Sequence, residues 1–264
     1  MITSTANQQM KNLVSLMKKA KERGKQKVFV VEGIRMFEEA PKERVQQVYV
    51  SSGFLESDKH RSLLDGYHYE EVSDTVFKSV SDTQTPQGIL AVVRMPEYSL
   101  DQLLQGDNTH LLVLEGIQDP GNLGTMLRTG EGAGITGVIM NRTTVDLFNP
   151  KTIRSTMGSI YRMPFLVAED LGGLLHQLKE EGVHLYAAHL KGTAAYDAFD
   201  YTGPCGFLIG NEGNGLTDET AALADSYIRI PMEGQVESLN AAVSAALLMY
   251  ECSRQRRRQH DDLV

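Results

Sequence analysis

The sequence holds no apolar run close to the roughly 18–20 residues that a membrane-crossing helix requires. Cysteine is scarce: Cys205 and Cys252 are the two in 264 residues. They are too few for a disulfide framework, and on their own they cannot supply a tetrahedral zinc site. The seven histidines are scattered without metal-ligand spacing, so no metal is expected. H-E-x-x-H and G-x-S-x-G are both missing, which removes the usual zinc- and serine-hydrolase signatures. The first 27 residues lack the apolar core and small-residue cleavage site of a secretory signal. There is no internal repeat and no low-complexity stretch. These absences together describe a soluble protein of a reducing compartment, the cytoplasm.

What is present is ordinary globular material. Hydrophobic residues are 41% and charged residues 23%, in a chain long enough for two domains. The net charge of −8 argues against a uniformly basic coat for nucleic acid. That figure hides an asymmetry: residues 11–27 carry seven Lys/Arg against Glu22, a local +6, leaving −14 for the rest. A second basic cluster is Arg254 with Arg256, Arg257 and Arg258. Either cluster reads as a solvated helix face or as a phosphate-binding surface.

Apolar spacing predicts helices over 10–23, 33–40, 54–64 and 76–80, interleaved with strands over 28–31, 45–51, 67–72 and 87–94. That first alternating series is long enough for its own core and spans 1–95. A connection follows at 96–107. The second series, 108–264, predicts strands at 111–114, 138–140, 184–190, 207–209 and 227–230. Its helices are expected from 125, over 149–159, 171–181 and 217–224, and finally over 238–258. Continuous apolar strands alternating with helices imply an α/β domain with a mostly parallel sheet covered on both faces.

Three loops carry the chemistry. Gly132, Gly134 and Gly137 match G-x-G-x-x-G by letters, but they follow a helix and enter a strand, so they read as a helix C-cap and turn. Gly210 to Gly215 does lie between a strand and a helix, with the spacing of a phosphate-binding loop. Leu216 stands where that loop needs lysine, and Glu212 would repel phosphate; the carboxylate suits a cationic or hydroxyl-rich ligand. In PGNLGTMLRT, Pro120-Gly121-Asn122 marks a turn, and Asn122 and Arg128 can face one pocket, the Arg as an anion fork. In ESLNAAVSAA, Ser238 is the expected N-cap of an all-round apolar closing helix, and Asn240 is a polar residue in need of partners. His189, at the end of its strand, reads as packed or pocket-lining.

These three segments, in this order, resemble the SpoU/TrmH branch of the SPOUT methyltransferases. KKAKERGKQKVFVVEGIRMFEEA is similar to that family's N-terminal substrate-binding domain, which itself resembles a ribosomal RNA-binding protein fold. The resemblance covers nearly the whole chain. It implies an S-adenosyl-L-methionine-dependent RNA ribose 2′-O-methyltransferase, a homodimer, with a trefoil knot in the C-terminal domain. It also implies that the cofactor lies against Gly210, Asn211, Glu212, Gly213, Ile230, Met232, Ser238 and Leu239, walled by Ala188 and His189. Backbone groups of Gly210, Ile230 and Leu239 would read the adenine. Arg128, Asn122, Glu212, Ser238 and Asn240 would form the reaction centre. RNA would be met by Lys18, Lys19, Lys21, Arg23, Lys25 and Arg35. Ribosomal RNA, 23S in particular, is favoured over transfer RNA. A catalytically idle RNA-binding protein of the same fold is the rival, and the intact Asn122, Arg128, Glu212 and Asn240 speak against it.

Overall fold

Short apolar strands alternate with helices throughout the computed structural model, which describes residues 1–261, with 260 and 261 by backbone alone. The chain separates into two units: 1–97 together with 146–161, and 98–145 together with the described residues from Arg162 onward. The segment 146–161, which the sequence pattern assigns to the second domain, thus belongs to the first unit.

In the first unit, β1 (Val28–Glu32), β2 (Val45–Ser51), β3 (Tyr69–Val72) and β4 (Ile89–Arg94) form a sheet of order β1-β4-β2-β3. β4 runs antiparallel to both neighbours and β2 pairs parallel with β3. Met10, Leu13 and Leu16 come down from the Gln8–Lys18 helix onto Val28, Val30, Leu90 and Phe77. Their i, i+3, i+6 spacing keeps them on one face of the helix. Phe148 lies 4.9 Å from Phe29, and the Tyr161 hydroxyl donates to Met36 O at 2.7 Å, which anchors 146–161 in this unit.

The helix expected over 10–23 is two helices, Gln8–Lys18 and Ala20–Gln26, parted where Lys19 turns extended (φ −125°, ψ 109°). Arg23 explains the break. Its Nη1 donates to the carbonyls of Leu16 and Met17 at 2.5 and 3.1 Å, acceptors that an unbroken helix would give to residues 20 and 21. Its Nη2 also pairs with Asp146. At 3% exposure, Arg23 is a buried structural cation, which corrects its assignment to RNA contact. Lys18, Lys19, Lys21 and Lys25 remain exposed; Arg35 is exposed too, and bonds Glu39 one turn on. The helix expected at 54–64 is a 3-10 turn, Gly53–Glu56, and a short helix, Asp58–Ser62. Asp74 Oδ1 and Ser51 Oγ accept from Gly53 N and Phe54 N and cap the first, and Ser57, extended at φ −95° and ψ 121°, parts it from the second.

The second unit is a seven-stranded parallel sheet. Its strands are β5 (His110–Leu114), β6 (Gly137–Asn141), β7 (Phe165–Ala168), β8 (His184–Ala188), β9 (Ala194–Ala195), β10 (Cys205–Ile209) and β11 (Ser226–Arg229). The order is β7-β6-β5-β10-β8-β11-β9. β5 and β10 are buried along their whole length, as strands covered on both faces must be. The edge strands β7 and β9 escape the sequence pattern because they are short and half-exposed. Gly134, at φ 73°, ends the Pro120–Ala133 helix and Gly137 opens β6, as the C-cap reading of the glycine triplet expects. From β5 the chain winds outward through β6 and β7, then returns to the other side of β10. The β5/β10 boundary is therefore a topological switch point, where open α/β sheets leave a crevice beyond the strand ends.

The closing helix, Ala241–Asp261, buries Ala242, Ala245, Leu248, Met249 and Cys252. It is not buried all round as expected: Val243, Leu247 and Tyr250 are 48%, 36% and 46% exposed and form one apolar stripe. Among the described residues no helix is long and apolar enough to cross a membrane.

Arg23→Ala is expected to lower the unfolding free energy by about 2–3 kcal/mol, because two helix-end carbonyls and Asp146 lose their donor. Lys21→Ala, at an exposed position, should stay within about 0.5 kcal/mol of the parent. Urea denaturation of the two variants reads the contrast.

Candidate active site

Beyond the end of β5 the chain enters the Pro120–Ala133 helix, which starts five residues before the sequence pattern suggests. Pro120-Gly121-Asn122 is the helix's first turn and not a free turn. Proline is suited to that position because it lacks the N–H that would go unpaired there. Asp119 caps the helix, its Oδ1 accepting from Asn122 N at 2.8 Å. Asn122 is thereby held with its side chain at the crevice.

Beyond the end of β10 lies the loop from Gly210 to Gly215. Asn211 and Gly215 exchange both backbone hydrogen bonds, at 3.0 and 2.9 Å, and Asn211 Oδ1 accepts from Gly213 N and Asn214 N. The crossing of the loop's two ends demands a glycine: a Cβ on Gly210 would stand 2.1 Å from the backbone of Gly215 and Leu216. Asn211 Nδ2 ties the loop to Gly116 O at 2.8 Å. Glu115, which the sequence pattern does not single out, holds the far side. This buried carboxylate accepts from Thr217 N, Thr217 Oγ1 and Thr220 Oγ1 at 2.8, 2.9 and 2.5 Å. An acid ending the otherwise apolar run LLVLE was the available signal.

Glu212 joins the loop to the helix. Its Oε2 accepts from Gln118 N at 3.0 Å, and its Oε1 from Asp119 N and Asn122 Nδ2 at 3.1 and 3.0 Å. Burial pushes this carboxyl's pKa up. Donation from Asn122 and from the N–H groups of Gln118, Asp119 and Glu212 itself outweighs burial and holds it below the ordinary 4.5.

The third segment completes the chain of contacts. Asn240 Nδ2 donates to Asn122 Oδ1 at 3.0 Å, while Asn240 Oδ1 accepts from Ala242 N and Val243 N at 2.9 and 3.3 Å. Asn240, and not Ser238, is therefore the N-cap of the closing helix. Ser238 stays exposed on the approach to it. Arg128 lies on the Pro120–Ala133 helix, exposed, and has no hydrogen-bond or ion-pair partner among the described residues.

A cavity of about 680 Å³ opens beside these contacts, within the usual range for small-molecule sites. Ala188, His189, Gly210, Asn211, Glu212, Gly213, Ile230, Met232, Ser238 and Leu239 all line it. Arg128, Asn122 and Asn240 are not among its lining residues; the two asparagines reach it through Glu212. His189 stacks on Tyr227 at 5.0 Å and its Nδ1 accepts from Lys191 N, so its role is to shape the wall. The lining fits S-adenosylmethionine. Ile230, Met232 and Leu239 offer apolar side chains for a flat base, and the glycine loop leaves backbone groups within reach. Glu212 supplies a carboxylate on the side where a sulfonium charge would be welcome.

Comparison with known proteins agrees across the chain. The profile of the SpoU rRNA Methylase family matches residues 109–250, and that of an MRM3-like substrate binding domain matches residues 7–91. The 23S rRNA (guanosine(2553)-2'-O)-methyltransferase RlmP of Bacillus subtilis (strain 168) is 37% identical over 251 residues, covering 94% of this chain and 97% of that one. The crystal structure of the SpoU methyltransferase AviRb from Streptomyces viridochromogenes in complex with AdoMet superposes with a TM-score of 0.87 at 26% identity, covering 95% of this chain and 98% of AviRb. A crystal structure of an RNA 2'-O ribose methyltransferase gives 0.83 at 35% identity, with 97% and 99% covered.

Because the Glu212 pKa is lowered on folding, its contribution to stability is in full force above 4.5 and is lost as pH falls through the depressed folded value. Glu212→Gln, which cannot ionise, should therefore be less stable than the parent at neutral pH. That gap should close as the pH drops below 4.5. Melting temperatures of both proteins from neutral to acidic pH check the sign, since a gap that widens on acidification would contradict it.

Proposed function

The chain belongs to the SpoU rRNA methylase family, and we propose that it moves a methyl group from S-adenosylmethionine to a ribose 2′-hydroxyl of 23S ribosomal RNA. The observation that carries this reading is the hydrogen-bonded series Glu212–Asn122–Asn240 at the rim of the cavity. Three separate stretches of chain, each bearing one family motif, meet there through their functional side chains.

S-adenosylmethionine, when bound, supplies a methyl group already activated by its sulfonium charge. The ribose hydroxyl is the weak partner, and the work left to the protein is alignment. Asn122, Asn240 and Glu212 are hydrogen-bonded in series, so they hold the crevice in shape, and among the described residues each amide nitrogen uses one of its two N–H groups to do so. Arg128 is exposed and unpaired among the described residues. A guanidinium keeps its proton near neutral pH, so Arg128 binds the phosphate beside the target ribose and polarises the hydroxyl; it is not the base. Ser238, exposed at the cavity mouth, orients the ribose.

Lys18, Lys21 and Lys25, exposed on the first two helices, and Lys19, exposed at the break between them, suit RNA phosphates, with Arg35 as a further contact. The uncovered stripe of Val243, Leu247 and Tyr250 supports the homodimer reading, with the closing helix at the interface. A trefoil knot formed by the loops around the cavity is part of the same reading, as is work in the cytoplasm.

Arg128→Ala should cut methyl transfer on the order of 10²–10³-fold while calorimetric titration with S-adenosylmethionine is unchanged. Leu239→Asp should abolish that titration. Equal loss of transfer and cofactor affinity in Arg128→Ala would overturn this division of roles.

Replacing Lys18, Lys19, Lys21 and Lys25 by Ala should weaken RNA binding and flatten its salt dependence. For every phosphate no longer neutralised, the slope of log K against log salt shrinks by roughly 0.7–0.9. An unaltered slope would place the RNA elsewhere.

A further inference from the structure

Cys205 opens β10, His110 opens β5, and Cys252 lies on the closing helix, positions far apart in sequence. Folding brings all three together, each 1% exposed or less. The sulfurs are 3.7 Å apart, and a ring nitrogen of His110 and both sulfurs lie within 4.8 Å of one another. His110 Nε2 is buried with no hydrogen-bond partner. Arg256 Nη2 stands 3.8 Å from Cys205 Sγ while the same guanidinium donates to the carbonyls of Asn108, Thr109, Tyr201 and Gly203.

Two buried cysteines alone would be small apolar residues packed in a core. The unpaired imidazole nitrogen is what that reading leaves unexplained, because buried polar atoms are ordinarily satisfied. A disulfide would need the sulfurs at about 2.05 Å and would still leave the imidazole unpaired. A tetrahedral thiolate-bound zinc, with bonds of about 2.3 Å, sets its sulfurs about 3.8 Å apart, close to the separation found.

We propose that His110, Cys205 and Cys252 form a structural Zn²⁺ site. Binding releases one proton from each thiol and leaves the oxidation states unchanged. The fourth position falls to a water or to Tyr201 O, which is 3.4 Å from Cys252 Sγ. The site lies at the N-terminal ends of β5 and β10, whose other ends, roughly 16 Å away, launch the two loops of the active site. The ion clamps these strands to the helix that Asn240 caps.

Full-length protein, purified with Zn²⁺ and exhaustively dialysed, should retain one equivalent per chain. Co²⁺ in its place should give the near-ultraviolet thiolate-to-metal absorption, and a strong chelator should lower the melting temperature. His110→Phe, which keeps a ring of similar size against Phe207, should lose the stoichiometric metal and the response to chelator, yet still bind S-adenosylmethionine. The parent protein decides the matter even where variants fail to fold. Absence of the thiolate band overturns the site, whether the denatured chain then shows two free thiols (a packed pair) or none (a disulfide).

Discussion

The amide of Asn122 is the point on which the site depends. Its nitrogen donates to one neighbour and its oxygen accepts from another, and so it joins Glu212 of the glycine loop to Asn240 of the closing helix. Glu212 also accepts from Gln118 N and Asp119 N, and Asn240 turns its oxygen back to cap its own helix. Each contact thus fixes a terminus of secondary structure as well as a side chain. The orientation of the Pro120–Ala133 helix, the curl of the Gly210–Gly215 loop and the start of the last helix are set together.

That arrangement explains why the site forms where it does. Parallel strands end together at one edge of a sheet, and the reversal of winding between β5 and β10 leaves that edge open. The loops leaving these two neighbouring strands can therefore touch without any long excursion. Glu115 and Asn211 tighten the approach from either side, one gripping the exit of the glycine loop, the other tying the loop to Gly116. Gly210 is required because the two ends of its loop cross too closely for any side chain.

Much of this was legible in the residues. The glycine loop, Asn122, Arg128 and Asn240 stood out by type and spacing, and buried strands such as β5 and β10 announced themselves as apolar runs. What was not legible depended on contacts distant in sequence. The break at Lys19 exists because Arg23 folds back on Leu16 and Met17 and reaches Asp146; helical periodicity continues straight through it. Pro120-Gly121-Asn122 has the composition of a turn, and only the cap from Asp119 turns it into a helix start. Asn240 takes the capping role expected of Ser238 for a similar reason, since its amide serves the helix and Asn122 at once. His110, Cys205 and Cys252 have no motif spacing at all. Their meeting is a consequence of β5 lying beside β10 under the last helix.

The distribution of hydrogen bonds also divides the labour within the proposed reaction centre. Glu212 has both oxygens occupied, Asn122 both ends of its amide, and Asn240 its oxygen twice over. Groups so committed cannot follow a reacting atom without breaking the contacts that hold the loops, so they act by keeping the crevice rigid. Among the described residues the side chains of this group with no hydrogen bond at all are the Arg128 guanidinium and the Ser238 hydroxyl. A transfer limited by alignment benefits from that split, because a fixed frame costs no reorganisation when substrate arrives, while the free groups spend their full interaction on it. On the proposed reading, the Arg128 guanidinium is then the group whose interaction strengthens as negative charge builds on the attacking oxygen.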